Sequence, residues 1–478
     1  MKPYQVLLCI LSTIAVLAAV CGVCADRSEL VRVPSLASFL PERGEESPDT
    51  TVLSLLEADT LPTSAAPADT VVPDTVRKQP KSVVLPQALP QTMLFLPQFY
   101  EALAQANEQS IRVVHFGDSQ IEEDRISMIL RRRLQERFGG GGVGLIPMVQ
   151  TIPTYTVKQS IEQDGKPLPY TFVKRYLSYG PSAMRLKHDN LYGPMAQVAC
   201  VNEPVDVQLE LLRDRVPTRD YDRIRILYSD SVQVALLPDS LEARRLLVEA
   251  TDDSLANAMQ QLIIVADTLC RSSMLRFSGE GRVFGISLET ATGVQVDNIP
   301  MRGAAGTNFT LMALEPFAAY FSATNTRLVI MQFGGNAMPS ISSRGAVERY
   351  TEAMRQQIRF VMSAAPDASL LFIGPSDMIT TVEGEQRSYP LLPYLDKCLK
   401  EMVEEEGGAY YSLFRLMGGA GSMFSWRDKG LAGDDMIHFT RAGAKKVGEM
   451  LAKQLLEDYD SVVESRKPKI ESTDSIHD

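Results

Sequence analysis

The chain has 478 residues, more than one ordinary hydrophobic core serves, so two folded units with linking segments are expected. Its 45% apolar and 22% charged composition is that of a soluble globular protein. A formal charge of −11 argues against a nucleic-acid partner, because displacing counterions from phosphates needs a basic face.

Residues 1–25 read as an export segment. Lys2 supplies a positive start, Val6 to Ala25 is apolar, and Val23-Cys24-Ala25 offers small residues for cleavage before Asp26. The run also approaches the roughly 20 residues that span a bilayer, so an uncleaved membrane tether stays open beside a cleaved signal peptide. On either reading the remainder is delivered outside the cytoplasm, to the periplasm or cell envelope. Cys21 and Cys24 lack the small residue that lipid attachment prefers before them. With Cys9 in the same segment, only Cys200, Cys270 and Cys398 remain for the folded part. They have no metal-ligand spacing and allow at most one disulfide, for which Cys200–Cys270 is a guess; buried thiols acting as small apolar residues fit better.

Residues 26–92 carry nine prolines and loose repeats such as Ala68-Asp69-Thr70 and Pro73-Asp74-Thr75, which predicts a disordered, extended linker. The polar residues 466–478 predict a loose tail.

Order is expected from Met93. Ile111 to Phe116 reads as a buried strand running into a turn at Gly117-Asp118-Ser119. Ile126, Ile129, Leu130, Leu134 and Phe138 then have amphipathic-helix spacing. Gly139 to Gly142 stop that helix; they lack the Lys-Ser/Thr of a phosphate-binding loop. Between 151 and 285 the texture changes to period-two alternation, as in Val205, Val207, Leu209, Leu211 and again Ile224, Ile226, Tyr228. Only Leu241 to Gln261 reads as helix there, so this region is expected to be an inserted β-rich, sandwich-like module. Residues 286–465 return to a strand–helix rhythm, with strands at Leu328–Phe333 and Leu370–Gly374 and helices at Ala346–Ala364, Leu391–Glu406 and Arg441–Glu464. Together, 93–150 and 286–465 predict one three-layer α/β/α domain around a parallel sheet, with reactive groups at the carboxyl ends of its strands.

Ser119 stands where a buried strand hands over to a helix, a turn that exposes a hydroxyl beside free backbone donors. Alone, Gly-Asp-Ser is equally a plain turn. A serine nucleophile needs a base, and there are four histidines to search: His115, His188, His438 and His477. His115 lies inside the strand, His188 in the module and His477 in the tail. His438 precedes the last helix, and Asp435, three residues earlier, can fold back to orient its imidazole. Asn336 follows the strand Leu328–Phe333, and Gly303 follows Asn298 in a turn; both are candidate oxyanion donors, although each taken singly reads as an ordinary turn. Glu122, Glu123 and Asp124 have no accompanying histidine and read as the acidic first turn of the helix rather than a metal site. Trp426 is as readily a packing residue as a sugar platform.

In order along the chain, Gly117-Asp118-Ser119, Asn298 to Gly303, Gly334-Gly335-Asn336 and Asp435-Met436-Ile437-His438 resemble the four blocks of the SGNH (GDSL-like) hydrolase family. The likeness is closest to exported Bacteroidetes-type members with an inserted β-rich module, on His115 to Ile121 and on Gly418 to Met423 with Trp426. It covers about 93–144 and 285–464 and much less of the module. The resemblance implies a flavodoxin-like sheet, a Ser119–His438–Asp435 triad, and an oxyanion site from the Ser119 N–H, Gly303 and Asn336, with Gly306 as an alternative to Gly303. It implies no metal or organic cofactor. It also implies an esterase that removes acetyl groups from peptidoglycan or another glycan. A polysaccharide O-acetyltransferase working with a membrane partner, or an envelope binding protein without activity, are the alternatives. Two positions depart from the family. Ala337 replaces an Asp, which is expected to cost a supporting hydrogen bond, and Gln120 replaces a Leu or His, which is expected to affect the pocket rather than the chemistry.

Overall fold

The computed structural model describes residues 93–465 apart from 168–173, 178–189, 214–217, 230, 238–245, 248–252 and 257–258. The expected export segment, linker and tail, with His188 and His477, lie outside the described residues. Among the described residues no helix is long and apolar enough to cross a membrane.

Five parallel strands lie side by side in the order Gly293–Pro300, Ser110–Gly117, Thr326–Gln332, Ser369–Ile373 and Ala409–Tyr411. Counted along the chain this is the 2-1-3-4-5 order of flavodoxin-like sheets. Alternation within each strand sends its side chains to opposite faces. Val114 and Phe116 join a core with Phe317, Val347 and Leu395, from the helices Leu314–Ala323, Arg344–Ala364 and Leu392–Glu405. Ile111 and Val113 join a second core with Phe99, Leu130 and Leu451, from the helices Pro97–Leu103, Ser127–Phe138 and Arg441–Ser465. The result is the three-layer α/β/α arrangement, its helices and strands falling within two residues of the expected bounds where these were set.

The strand Gly293–Pro300 has no counterpart in the sequence reading. Its Gln295 and Asp297 are fully buried, so the apolar run that marks a buried strand is broken by polar residues whose partners come from elsewhere in the fold. Ala409–Tyr411, at three residues, is too short to carry a pattern.

Between the first two strands of the parallel sheet, the described residues form an eight-stranded and a five-stranded sheet that pack face to face. Val207, Leu209, Leu275 and Phe277 from the smaller sheet share a core with Ile224, Ile226, Ile286 and Leu288 from the larger, which makes a sandwich. The larger sheet also takes in Gly144–Ile146, paired with Gly281–Glu289, so its strands extend outward of 151 and 285. Where a helix was expected over Leu241–Gln261, the described residues are strands: Leu246–Leu247, Asp253–Ala256 and the start of Met259–Cys270. Met259–Cys270 pairs along Tyr221–Tyr228, and ladder hydrogen bonding to that partner overrides a weak local helical pattern.

The glycines after the helix Ser127–Phe138 do more than stop it. Gly139 caps the helix at φ 76°. A Cβ on Gly142 would collide with the Leu288 carbonyl, and one on Gly144 with the Asp297 carboxylate, so the bare backbone lets the chain pass between sandwich and parallel sheet. Among the described residues Cys200, Cys270 and Cys398 form no disulfide, so the Cys200–Cys270 bridge is not made.

Candidate active site

In a 2-1-3-4-5 sheet the strand order reverses between the first and third strands, and their carboxyl ends flank a crevice. Here those ends are Gly117 and Gln332. Ser119 opens the turn Ser119–Asp124 just beyond Gly117, and Asn336 lies in the turn Gly335–Ser340 just beyond Gln332. The loop before the helix Arg441–Ser465 completes the crevice with His438. The open crevice so formed is lined by Asp118, Ser119, Asn336 and His438, with Phe333, Pro375, Met378, Leu413 and Ile437 as its apolar wall.

Ser119 Oγ lies 2.9 Å from His438 Nε2, and His438 Nδ1 lies 2.7 Å from Asp435 Oδ2. The other carboxylate oxygen of Asp435 accepts from the backbone N–H groups of Ile437 and His438, both at 3.0 Å. One side chain therefore shapes the loop and orients the ring. Met436, between them, sits in the left-handed region at φ 59°, which the tight turn requires. Burial works to raise the Asp435 pKa, but the bonds from His438 and Ile437 outweigh it and the net direction is down, so Asp435 stays ionised. Such a chain of contacts can take a proton from a serine hydroxyl and stabilise the imidazolium that results.

Asn336 Nδ2 donates to Asp118 Oδ2 at 3.1 Å and to the Ala304 carbonyl at 3.2 Å. Asp118 also accepts from the Gln120 N–H at 2.9 Å through Oδ1, so it fixes both the serine turn and the asparagine. Burial pushes the Asp118 carboxyl up to about 6, against the opposing pull of the Gln120 N–H, His438 and Arg125. Neither the Ser119 N–H nor the Gly303 N–H has an acceptor among the described residues. Gly303, at φ 75°, adjoins Ala304 but does not line the cavity, and Gly306 is packed so that a Cβ would meet the Phe333 ring.

The remaining candidates have structural partners. His115 is fully buried, with Nδ1 2.9 Å from Ser127 Oγ and Nε2 3.2 Å from Gln332 Oε1. Burial lowers its pKa to about 3, so it stays neutral and serves the sheet. Glu122, Glu123 and Asp124 do not form the first turn of the helix, which starts at Ser127. Glu122 pairs bidentately with Arg302, and Asp124 pairs with Arg131 at 2.6 Å and accepts from Thr156 at 2.8 Å. The backbone here is not helical, with Glu123 at φ 61° and Asp124 at φ 64°. Trp426 is 5% exposed, packs on Phe439 and donates to the Met417 carbonyl, which leaves no face for a sugar. Sequence reasoning missed Asp118 as the support of Asn336; its only signal was adjacency to Ser119.

No family model and no curated protein sequence matches the chain. Solved structures do. One of a peptidoglycan O-acetylesterase superposes with a TM-score of 0.57 at 19% identity, over 77% of this chain and 97% of that one. A family two carbohydrate esterase from Clostridium thermocellum in complex with cellohexaose matches at TM-score 0.26 and 12% identity, over 60% and 99% of the two chains. A catalytic mutant of Axe2, an acetylxylan esterase from Geobacillus stearothermophilus, matches at 0.23 and 13%, over 35% and 73%. Only the first, above a TM-score of one half, bears on the fold, which this chain shares with it.

Proposed function

Starting from the SGNH-type esterase fold of this chain, we propose that it is an exported serine esterase removing O-acetyl groups from a carbohydrate, with peptidoglycan the leading substrate class. The observation that carries this reading is the continuous Ser119–His438–Asp435 chain at the switch point of the sheet. Ser119 Oγ attacks the ester carbonyl as its proton passes to His438 Nε2. The tetrahedral intermediate places its oxyanion against the Ser119 N–H and against the Asn336 amide, which turns one N–H towards it from Asp118 or the Ala304 carbonyl. His438 returns the proton to the departing sugar oxygen, leaving an acetyl-serine. Water, deprotonated by His438, releases acetate and restores the hydroxyl. No step calls on a metal. The small acyl group suits a cavity closed by Phe333, Pro375, Met378 and Leu413. Export rests on the sequence of residues 1–25.

The test is fluorophosphonate labelling of the purified protein together with acetate release from O-acetylated peptidoglycan and acetylated xylan. Labelling plus acetate release from peptidoglycan is the expected result. Labelling with release from xylan alone moves the substrate class, and a wild-type chain that does not label sinks the esterase reading.

Asp118 supplies a pH-dependent prediction. Its folded pKa of about 6 lies above the ordinary 3.8, so the folded chain holds a proton that the unfolded chain sheds. The stability this gives is fully present below 3.8 and lost as pH rises through about 6. Asp118→Asn should therefore melt higher than wild type at pH 8 and show no such gain at pH 4. Its amide nitrogen would face that of Asn336, donor against donor, so turnover should drop by about tenfold or more while stability rises. Equal melting at both pH values would contradict the assignment.

A further inference from the structure

Ser119 and His438 are 319 residues apart in sequence, yet their contact has to be held to a few tenths of an ångström. The His438 side chain is 40% and the Asp435 side chain 49% exposed, so close packing does not fix the imidazole. The bonds that Asp435 makes are local: they set the shape of the loop and leave its distance from Ser119 open. Ile379 donates to the Met436 carbonyl and Gly433 to that of His438, but neither bond reaches the serine turn.

Two side chains of the serine turn do cross. Gln120 Nε2 donates to the Ile437 carbonyl at 2.8 Å, and Gln120 Oε1 accepts from the Phe439 N–H at 3.3 Å. One amide group thus bonds the backbone on both sides of His438. Arg125 adds a second tie, Nη1 donating to the Phe439 carbonyl at 3.2 Å and Nη2 to the Ser119 carbonyl. Apart from the Ser119–His438 contact, these are the hydrogen bonds that join the turn Ser119–Arg125 to Met436–Phe439 among the described residues.

We infer that Gln120 is a positioning residue for the base: its side-chain amide brackets His438 and sets the register of the base loop against the nucleophile, with Arg125 as the supporting tie. This rests on the reading of Ser119 as nucleophile and His438 as base. It also reverses the expectation from sequence that Gln120 affects the pocket rather than the chemistry. A leucine at this position would fill space but could neither donate to Ile437 nor accept from Phe439.

Gln120 also lines the cavity, so contact with substrate is the rival account, and the split between kcat and KM separates the two. Gln120→Met keeps the length of the side chain and removes both bonds. In the full chain acting on 4-nitrophenyl acetate, it should lower kcat by about 10- to 100-fold with KM changed by less than about twofold. The rate of fluorophosphonate labelling should fall in parallel, because it reports the reactivity of Ser119 without a sugar. Gln120→Glu keeps the acceptor for the Phe439 N–H and should fall between Gln120→Met and wild type. The melting temperature should stay within about 2 °C, since the residue is partly exposed. A wild-type kcat in Gln120→Met, a rise confined to KM, or a loss that tracks melting would each overturn the inference. Wild-type protein that neither labels nor turns over would instead remove the esterase reading beneath it. An active wild type with an indifferent Gln120→Met removes the inference alone.

Discussion

Ser119→Ala and His438→Ala are each expected to lower turnover by roughly 10⁴- to 10⁶-fold, and the double variant is expected to be little worse than either. On the proposed mechanism the two groups act on one proton. Without the imidazole, the serine hydroxyl is a weak nucleophile; without the hydroxyl, the imidazole has no proton to take. Independent contributions would multiply, giving a double variant many orders of magnitude slower than the singles. The 2.9 Å contact between Ser119 Oγ and His438 Nε2 places both in the same step. Acetate release by the three variants, with activity corrected for contaminating hydrolase, is the measurement. Losses that multiply would mean that Ser119 and His438 do not form a unit. Folding should be unaffected, because both side chains are partly exposed and neither belongs to a hydrophobic core.

The largest stability effect is expected from Arg112→Met, at the joint between the parallel sheet and the sandwich. Arg112 is 1% exposed and pairs with Glu289 and, at 2.7 Å, with Asp297. Asp297 also accepts from the Tyr320 hydroxyl at 2.7 Å and the Leu145 N–H at 2.8 Å, and Glu289 pairs with Arg225 at 3.0 Å. Burial alone would lower the Arg112 pKa, but Asp297 and Glu289 outweigh it and keep the guanidinium charged. Removing the cation leaves a buried carboxylate uncompensated, which costs about 3–5 kcal/mol. Chemical denaturation at neutral pH should show that loss, and Arg112→Met with Asp297→Asn should be milder than Arg112→Met alone. Burial would raise the Glu289 pKa, yet Arg112 and Arg225 pull it down to about 2. Its pairing therefore stabilises the fold above the ordinary value of 4.5 and is lost as pH falls from there towards about 2. The gap between wild type and Arg112→Met should accordingly narrow in acid. A gap that is constant with pH would show that the carboxylates carry no charge to compensate.

The sequence by itself determined what depends on neighbours in the chain. Short apolar runs marked the strands Ile111–Phe116 and Leu328–Phe333, which are buried on both faces, and helical periodicity marked the three long helices from Ala346 on, each of which buries one repeating face. Asp435 and His438 were legible as a pair because three residues of a tight turn bring a carboxylate back to a ring, and the scarcity of histidines pointed to that ring. The Ser119 turn was legible because a buried strand has to leave the sheet somewhere.

Tertiary structure decided whatever depends on partners distant in sequence. Gly293–Pro300 is a buried edge strand of the parallel sheet although Gln295 and Asp297 interrupt its apolar run, since Arg112 and Tyr320 satisfy Asp297 from outside. Leu246–Leu247 and Asp253–Ala256 are strands because Met259–Cys270 pairs with them, whatever their local pattern favours. Glu122, legible with Glu123 and Asp124 as the acidic start of a helix, is claimed by Arg302, 180 residues away. Gln120, one residue from Ser119, bonds the peptide groups on either side of His438, and those come within its reach only once the sheet has assembled. Periodicity and turn chemistry are local free energies and can be read from a string of residues. A hydrogen bond or ion pair across hundreds of residues depends on the closed fold.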